Sequence, residues 1–201
     1  MNRVFGGLLT VVLAPVMALV ALAVRIFDGR PVLFAHERAG QGGRPFHIYK
    51  FRTMRPPLAV EEPDEVRITC VGRVLRRTSL DELPSLWNVA RGDMNLVGPR
   101  PLPPAYTALY SPAQSRRLEV KPGLTGPVQV AGRNELTWDE KFALDSWYAE
   151  HHNWRVDLRV LWQTPLVVVR GRGVSHGGHA TMPAFTGNRT SPAEAGRKAP
   201  G

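Results

Sequence analysis

The sequence predicts a helix-rich α+β fold, in which an apolar N-terminal helix with a central break precedes a compact domain that contains a small β-hairpin. Three observations lead to this prediction. No charged residue occurs from Val4 to Val24. Two strand-like runs follow, joined by the glycine-rich turn Gly40–Gly43. Helix-start patterns then recur along the rest of the 201-residue chain, which is long enough for one domain with a hydrophobic core.

The N-terminal apolar stretch admits three interpretations. At a rise of about 1.5 Å per residue, the stretch is just long enough to cross the hydrocarbon core of a bilayer, so its length alone predicts a transmembrane helix. Arg3 and the small residues around Ala23 suggest a cleaved signal peptide, although the apolar run is longer than a usual signal core. A re-entrant hairpin is the third interpretation, and it requires a break in the middle.

Pro15 supplies such a break. Its nitrogen cannot donate a hydrogen bond to the carbonyl of Val11, so a kink is expected at Ala14–Pro15. Basic residues flank the stretch on both sides, with Arg3 before it and Arg25 after it. This symmetry gives a single span no preferred orientation, and it fits a hairpin whose two ends are both cytoplasmic.

A compact domain follows the apolar stretch, beginning with the β-hairpin. Its strands are predicted within Pro31–Gly40 and Arg44–Thr53, before a proline-rich loop at Arg55–Asp64. Ser111 is a helix-start signal. Short helices are expected at Val71–Arg77, Leu83–Ala90, Tyr106–Leu109 and Pro112–Val120.

The C-terminal part of the domain contains the longest predicted helix, Trp138–His151, with Thr137 as its N-cap and two acidic residues in its first turn. The apolar segment Leu158–Val169 follows, interrupted by Pro165. Core packing is the simplest role for the aromatic residues here, but some could lie at the depth of lipid headgroups beside arginines. The aromatic residues are Trp138, Trp147, Tyr148, Trp154 and Trp162, and the arginines are Arg155, Arg159 and Arg170.

Beyond Arg172 the composition shifts to glycine, serine, threonine, histidine and proline. We therefore predict a division of the chain into a membrane helix (residues 1–26), a domain (27–172) and a tail (173–201), and we expect the tail to be disordered from Thr190 onwards. His176 and His179 lie in this tail without a cysteine or an acidic partner, so we expect them to face solvent or substrate and not to bind a metal.

Charge and cysteine content restrict the function. The chain carries 26 basic and 17 acidic residues, a formal charge of +9, which suits lipid headgroups, nucleotide diphosphates or nucleic acid as partners. It lacks helix-turn-helix, zinc-finger and aromatic RNA-binding motifs, so nucleic acid is not expected. Cys70 is the single cysteine, which excludes an intramolecular disulfide and a thiolate metal cluster. We expect it to be a small buried residue.

The most informative segment runs from Arg76 to Pro101, where two adjacent carboxylates, Asp81 and Glu82, lie between an arginine pair and the rigid turn Gly98–Pro101. A carboxylate can attack an anionic diphosphate only where cations offset the repulsion, and these arginines meet that need. A divalent metal ion would complete such a site.

A purely structural interpretation of the two acids is a capping box, because Ser79 and Glu82 have the required spacing. In that case Asp81 and Glu82 would only favour the positive end of a helix. Pro84 opposes this interpretation, because it would fall just past the first turn and could not donate to the carbonyl of Leu80. The helix must therefore start irregularly or begin later.

The segment SLDELPSLWNVARGDMNLVGPRP (79–101) resembles the motif of the bacterial sugar transferases that are monotopic phosphoglycosyl transferases. These enzymes move a phosphosugar from a UDP-sugar to polyprenyl (undecaprenyl) phosphate. The resemblance extends to GRPVLFAHERAGQGGRPFHIYKFRTM (29–54) and to VKPGLTGPVQVAGRNELTWDEKFALDSWYAEHH (120–152). Residues 173–188, GVSHGGHATMPAFTGN, are similar to the tail of the small PglC-type members. The resemblance thus covers nearly the whole chain.

The resemblance implies a role for each residue of the motif. Asp81 would be the nucleophile that forms a covalent phosphosugar intermediate and would bind Mg²⁺ together with the diphosphate oxygens. Glu82 would support the site by positioning metal-bound water or by handling a proton. The implied substrate-binding residues are Lys50, Arg76, Pro99, Arg100 and Pro101. Surface positions in solvent are expected for Arg52, Arg77 and Arg133.

The resemblance also implies a setting. The N-terminal helix would enter and leave the cytoplasmic leaflet of the inner membrane, with the catalytic domain on the cytoplasmic face and with membrane lipids and downstream glycosyltransferases as further partners. The tail favours an N-acetylated amino sugar as the transferred group. Two alternatives stay open: a transferase that uses UDP-glucose or UDP-galactose, and a non-catalytic membrane-anchored scaffold of a glycan-assembly complex.

Two positions depart from the family pattern. At the helix break the family has Ser-Pro, whereas this chain has Ala14-Pro15, so the hydroxyl that could satisfy a freed carbonyl is missing. In the segment Gly126–Arg133 the chain lacks a tryptophan and an asparagine of the family. The first departure bears on membrane topology, and the second on sugar recognition or loop packing.

Overall fold

A computed structural model describes residues 2–58, 62–170 and 184–187. Its N-terminus forms two helices, α1 (Asn2–Val12) and α2 (Ala14–Phe27), which are bent by 59° at Leu13. Pro15 lies in the first turn of α2, so the predicted kink is confirmed. Within the described ranges, no unbroken helix is both long and apolar enough to cross a membrane; α1 and α2 reach that length and composition only as a bent pair.

The inner faces of this helix pair pack against the domain. On α1, Gly6 is buried, and a Cβ atom there would lie 2.7 Å from Cγ1 of Val89. On α2, Val24 is fully buried in a core cluster that includes Phe51 and Leu75. The outer faces are apolar and exposed. Their large residues are Val4, Phe5, Leu8, Val11, Val12, Val16, Leu19, Leu22, Ile26 and Phe27.

The predicted β-hairpin is confirmed. Strands β1 (Leu33–Ala39) and β2 (Pro45–Phe51) pair antiparallel, from Leu33 opposite Phe51 to Ala39 opposite Pro45. A 3₁₀ turn, Gln41–Gly43, joins them, and Gly42 and Gly43 both adopt positive φ. Strand β2 contains Lys50, whose side chain is half-buried.

The next helices are α3 (Asp64–Arg67) and α4 (Cys70–Thr78), and Thr69 caps α4 by accepting a hydrogen bond from the Gly72 nitrogen. Gly72 and Leu75 face the core; a Cβ atom on Gly72 would lie 2.0 Å from the Thr53 carbonyl oxygen. Cys70 begins the helix and is exposed, so the prediction that it is buried is wrong. The core-facing residues of this short helix, Gly72 and Leu75, lie two and five positions after Cys70.

The chain from Leu80 to Leu118 is dominated by short elements. A 3₁₀ turn (Leu80–Ser85) leads into α5 (Leu86–Arg91), so this helix begins later than predicted. Helix α6 (Pro112–Ser115) starts at the predicted Ser111 capping box. The predicted helices at 106–109 and 112–120 are confirmed only in part, since 3₁₀ turns form Pro104–Leu109 and Arg116–Leu118.

Two short strands pair in parallel, β3 (Asn95–Val97) and β4 (Gly123–Thr125). Neither strand was predicted, because three residues are too few to show an alternating pattern. Helix α7 (Pro127–Ala131) follows β4 with Pro127 in its first turn. Pro127 is buried at the position where the family has the missing tryptophan.

Two longer helices complete the fold. Helix α8 (Trp138–His151) has the predicted Thr137 cap, which forms a full capping box with Glu140. Helix α9 (Trp154–Arg170) begins earlier than predicted because the Asn153 side chain accepts hydrogen bonds from two nitrogens of its first turn. Pro165 lies inside α9.

One part of the predicted tail packs against the domain. Phe185 is buried in an aromatic cluster, the other members of which are Tyr106, Tyr110, Trp138 and Phe142. Its backbone nitrogen also donates a hydrogen bond to the Tyr106 hydroxyl at 3.1 Å. His176, His179 and the segment from Thr190 onwards lie outside the described residues.

Candidate active site

A cavity of about 950 Å³ lies between the N-terminal helices and the domain. The structure brings five of the predicted site residues to its wall, namely Lys50, Arg76, Asp81, Glu82 and Arg100. Pro99 and Pro101 are buried on either side of Arg100 and fix the backbone of its turn. Residues from distant parts of the sequence thus form one site.

The backbone at the end of α4 turns the two acids into this cavity. Ser79 has a left-handed φ of 56° and ends α4, and the 3₁₀ turn that holds both acids follows directly. The Ser79 hydroxyl accepts a hydrogen bond from Arg133 at 3.2 Å and caps no nitrogen of the turn. The capping-box interpretation of Ser79 and Glu82 is therefore wrong. Both acids are left available for the site.

Glu82 holds two of the predicted phosphate-binding cations. Its Oε1 atom accepts a hydrogen bond from Lys50 Nζ at 2.6 Å and another from Arg100 Nη2 at 2.9 Å. Burial opposes its ionisation, but the charges of Arg100 and Lys50 outweigh burial and hold the pKa of Glu82 far below its usual value. Glu82 is thus a permanent anion that positions both cations.

Asp81 is in the opposite situation. Its side chain is only 9% exposed, and its carboxylate accepts no hydrogen bond from the residues that the structure describes. Burial and the neighbouring charge of Glu82 raise the pKa of Asp81 to about 6, against the opposing charges of Lys50, Arg100 and Arg76. At neutral pH Asp81 is an unshielded carboxylate of raised basicity, which is the form a nucleophile needs.

The remaining arginines near the site differ in their exposure and their contacts. The Arg76 guanidinium lies 3.8 Å from the Met54 sulfur and contacts no carboxylate of residues 2–58 and 62–170, so it is available to an anion. Arg77 is exposed as expected. Arg133, expected in solvent, is instead half-buried and lines the cavity with a left-handed φ of 52°. Arg52, also expected in solvent, donates to the Arg30 carbonyl at 2.7 Å and to the carbonyl of Asp28, the C-cap of α2.

The chain that places this buried carboxylate among cations also matches a known protein family. The model of a family described as bacterial sugar transferase matches residues 1–171. The chain belongs to the bacterial sugar transferase family. The resemblance drawn from the sequence motifs is confirmed.

Individual relatives agree with the family match. The chain is 47% identical over 168 residues to an uncharacterized sugar transferase, EpsL, of Bacillus subtilis (strain 168). This alignment covers 82% of this chain and 83% of the relative. It is 42% identical over 178 residues to the UDP-glucose:undecaprenyl-phosphate glucose-1-phosphate transferase of Caulobacter vibrioides, covering 82% and 66% of the two chains. The chain is 40% identical over 168 residues to the undecaprenyl-phosphate galactose phosphotransferase of Salmonella typhimurium. That alignment covers 73% of this chain and 35% of the relative.

In this sugar transferase a buried ion pair supports the turn that carries Arg100. Arg117 and Asp145 are each 3% exposed and joined at 2.7 Å. Arg117 also donates to the Arg100 carbonyl at 2.6 Å and to the Tyr110 hydroxyl at 3.0 Å. Neither residue was predicted. Arg117 looks like any other member of a basic run, and the spacing of α8 alone does not show that Asp145 is buried.

Lys141 of the sugar transferase is another residue that the sequence did not single out. It is 8% exposed and lines the cavity, with its Nζ atom 5.1 Å from the centre of the Trp138 ring. Burial and the charge of Arg100 lower the pKa of Lys141 to about 8, although Asp145 opposes this shift. Lys141 and Trp138 thus make their part of the cavity wall cationic and aromatic.

The predicted Mg²⁺ depends on very few protein ligands. Across the described part of the chain, no group of three or more histidine, cysteine, aspartate and glutamate residues has the arrangement of a metal site. Magnesium commonly binds through one or two carboxylates together with substrate phosphates. The unshielded Asp81 carboxylate fits such a site, whereas Glu82 is already engaged with two cations.

Proposed function

We propose that this sugar transferase moves a phosphosugar from a UDP-sugar to polyprenyl phosphate and releases UMP, through a covalent intermediate on Asp81. The observation that carries this proposal is the pairing of opposite environments at Asp81 and Glu82. One carboxylate is buried, unshielded and basic, and its neighbour holds Lys50 and Arg100 where the phosphates of a donor would lie. Relatives named as undecaprenyl-phosphate sugar transferases support the same reaction.

In the first step, an oxygen of Asp81 forms a bond to the β-phosphorus of the donor. The bond from that phosphorus to the bridging oxygen breaks, and the oxygen leaves with the electron pair as part of UMP. Arg76 and Arg100 offset the charge on the transferred group, and Arg133 lies close enough to Ser79 to add a third cation.

In the second step, a phosphate oxygen of polyprenyl phosphate attacks the same phosphorus. The bond to Asp81 breaks, the carboxylate is restored, and polyprenyl diphosphate-sugar is formed. Mg²⁺, when bound by Asp81 and the diphosphate oxygens, would neutralise part of their charge. Burial keeps bulk water away from the intermediate, because Asp81 is only 9% exposed.

The cavity also suits a lipid acceptor. Leu9 and Leu13 of the N-terminal pair line it on one side, and Leu161 and Pro165 of α9 line it on another. We infer that α1 and α2 enter and leave the cytoplasmic leaflet of the inner membrane, so that their exposed outer faces contact lipid and the acceptor reaches Asp81 between them and α9.

For the donor we propose UDP-glucose or UDP-galactose, because the Caulobacter and Salmonella relatives are named for glucose and galactose. The N-acetylated amino sugar expected from the tail stays a prediction, since most of residues 173–188 lie outside the described ranges. A donor panel separates these possibilities directly.

The test is UMP release by detergent-solubilised protein with magnesium, undecaprenyl phosphate and each of several UDP-sugars. We expect the wild type to release UMP from one or two donors and Asp81→Asn to lose at least about a thousand-fold in rate, since the nucleophile is absent. Asp139→Asn is the matched control, because Asp139 is an exposed acid on α8. Undiminished release by Asp81→Asn would refute the covalent mechanism, and no release from any donor would favour the scaffold alternative.

A further inference from the structure

Gln129 of α7 has an unusual environment. Its side chain is 7% exposed, and neither the amide nitrogen nor the amide oxygen has a hydrogen-bond partner among the described residues. Buried side-chain amides almost always have partners, because an unpaired donor or acceptor away from water is unfavourable. Gln129 also lines the cavity that holds Asp81. In the free protein each of the two amide atoms exposes less than 1 Å². A group that binds in this cavity would therefore reach this unengaged donor and acceptor through a rotation of the Gln129 side chain.

The backbone around Gln129 is closely packed and holds it in place. A Cβ atom on Gly126 would lie 2.1 Å from the Gly98 carbonyl oxygen and 3.0 Å from the Gln129 Oε1 atom. Only glycine fits where the backbones of Gly126 and Gly98 come this close. The contact joins the start of α7 to the start of the turn that carries Arg100. Four residues after Gln129, Arg133 reaches Ser79 beside the reactive acid. Gln129 is thus part of the same rigid frame as the phosphate-binding cations.

The chemistry of the amide indicates which substrate it would bind. An amide is neutral and offers one donor and one acceptor on adjacent atoms, whereas phosphates in this cavity have Lys50, Arg76 and Arg100 as stronger partners. Polyprenyl phosphate consists of phosphate and hydrocarbon and has no neutral donor. A nucleotide sugar has such groups, in the imide edge of uracil and in the hydroxyl or acetamido groups of the sugar.

We propose that Gln129 is a recognition residue for the nucleotide-sugar donor, with its amide donating to and accepting from a neutral group of that donor. This inference rests on the proposed function. The uracil edge and the sugar substituents offer the same paired chemistry, and the experiment distinguishes them.

The test compares Gln129→Leu, which removes both hydrogen-bonding atoms at similar volume, with Gln163→Leu. Gln163 is exposed on α9, so this control makes the same chemical change away from the cavity. We expect Gln129→Leu to raise KM for the UDP-sugar by about ten-fold or more, as the loss of two hydrogen bonds predicts, while KM for undecaprenyl phosphate changes less than two-fold. Gln163→Leu should leave both values unchanged.

Direct binding of UMP then identifies the group. If Gln129→Leu weakens UMP binding by the same factor as it raises KM for the donor, the amide binds uracil. If UMP binding is unchanged while KM for the donor rises, the amide binds the sugar. A donor KM within two-fold of wild type, or an equal rise in KM for both substrates, would overturn the proposal.

Thermal unfolding separates recognition from a structural role. An amide that has no protein partner does not stabilise the free protein, so Gln129→Leu should unfold at the wild-type temperature or above it. A large fall in that temperature would mean that the amide supports the fold and would overturn the inference. Gln129→Met provides a second variant if leucine does not fit. If the wild type and the Gln129 variants all release UMP normally, only the inference about Gln129 is refuted. If the wild type itself is inactive, the proposed function is refuted as well.

Discussion

At the scale of single residues, the main feature is a pair of adjacent acids whose pKa values are shifted in opposite directions. Glu82 pairs with Lys50 and Arg100, and its pKa stays far below neutral pH, which leaves it unable to carry a proton during turnover. Asp81 is buried beside it, and its pKa rises to about 6. Carboxyl groups that differ in this way commonly divide catalytic roles. Proton handling is therefore not favoured for Glu82, and the positioning of metal-bound water stays a prediction.

The raised pKa of Asp81 predicts that Asp81→Asn stabilises the protein. The folded pKa of about 6 exceeds the ordinary value of 3.8, so ionised Asp81 opposes folding, and this penalty grows as pH rises from about 4 to 6. The variant lacks the penalty. We expect it to gain about 1–3 kcal/mol in unfolding free energy above pH 6 and almost nothing below pH 4. Denaturant unfolding at several pH values measures the difference.

Glu82→Gln is the comparison for this prediction. The expected effect on the free energy of unfolding has the opposite sign. The charge of Glu82 is favoured in the folded state, and its loss leaves Lys50 and Arg100 to repel each other. This variant should be destabilised at neutral pH. If Asp81→Asn were also less stable than wild type above pH 6, the burial argument would be incorrect.

Sequence motifs were sufficient for some site residues and not for others. Asp81, Glu82 and Arg100 lie within 20 residues of one another in a recognisable pattern, and the structure brings them together. The pair Arg117 and Asp145 depends on packing between segments that are distant in sequence, which no local pattern encodes. The side chains that line the cavity from α7 and α8 are hidden for the same reason.

At the scale of elements, the break between α1 and α2 is the feature with the largest predicted consequence. Pro15 has no N–H group to donate to the carbonyl of Val11, and the axes of α1 and α2 differ by 59°. Pro15→Ala restores the donor. We expect residues 2–27 to favour one continuous helix, about 39 Å long and sufficient to span a bilayer, so that the N-terminus moves to the far side of the membrane.

Labelling of a cysteine at position 2 by an impermeant reagent, in spheroplasts and in inverted vesicles of a Cys70→Ser background, measures this change. In the otherwise unaltered protein the label should enter only from the cytoplasmic side, and with Pro15→Ala it should enter increasingly from the other. Pro165→Ala, which removes the proline inside α9, is the control and should leave labelling unchanged. Identical labelling in all three would show that packing of α1 on α5, and not Pro15, maintains the bend.

Elements with a capping signal were predictable, and elements fixed by tertiary contacts were not. Ser111 and Thr137 marked α6 and α8 correctly because the cap is encoded within four residues. Strands β3 and β4 are three residues each and are defined only by their pairing. The start of α9 was missed because Asn153 was not recognised as its cap.

At the scale of the whole molecule, two exposed apolar surfaces flank one cavity. The first is formed by the outer faces of α1 and α2. The second is the exposed face of α9, whose residues recur at helical spacing beside exposed arginines. The apolar residues are Trp154, Leu158, Leu161, Trp162, Leu166 and Val169, and the arginines are Arg155, Arg159 and Arg170. We expect α9 to lie along the membrane surface, because Leu161 of this face and Leu9 of α1 line the same cavity.

Quenching of tryptophan fluorescence by brominated lipids tests this orientation in the reconstituted protein. Trp162 is 79% exposed and Trp154 is 69% exposed, so Trp154→Phe/Trp162→Phe should remove most of the quenching that lipid causes. Trp138→Phe changes a tryptophan of the aromatic cluster and should leave quenching nearly intact. If the double variant were quenched as strongly as wild type, α9 would not contact lipid.

The hydrogen bonds from Lys50 and Arg100 to Glu82 bear on competition in the cell. Glu82 is a tethered anion, and such a group acts at an effective concentration on the order of millimolar or higher. Free phosphate and other small anions must compete with it for the donors of both cations. A diphosphate donor has more oxygens and can also bind Arg76, so it exchanges with Glu82 far more readily. We therefore expect Glu82 to reduce inhibition of the empty enzyme by free phosphate.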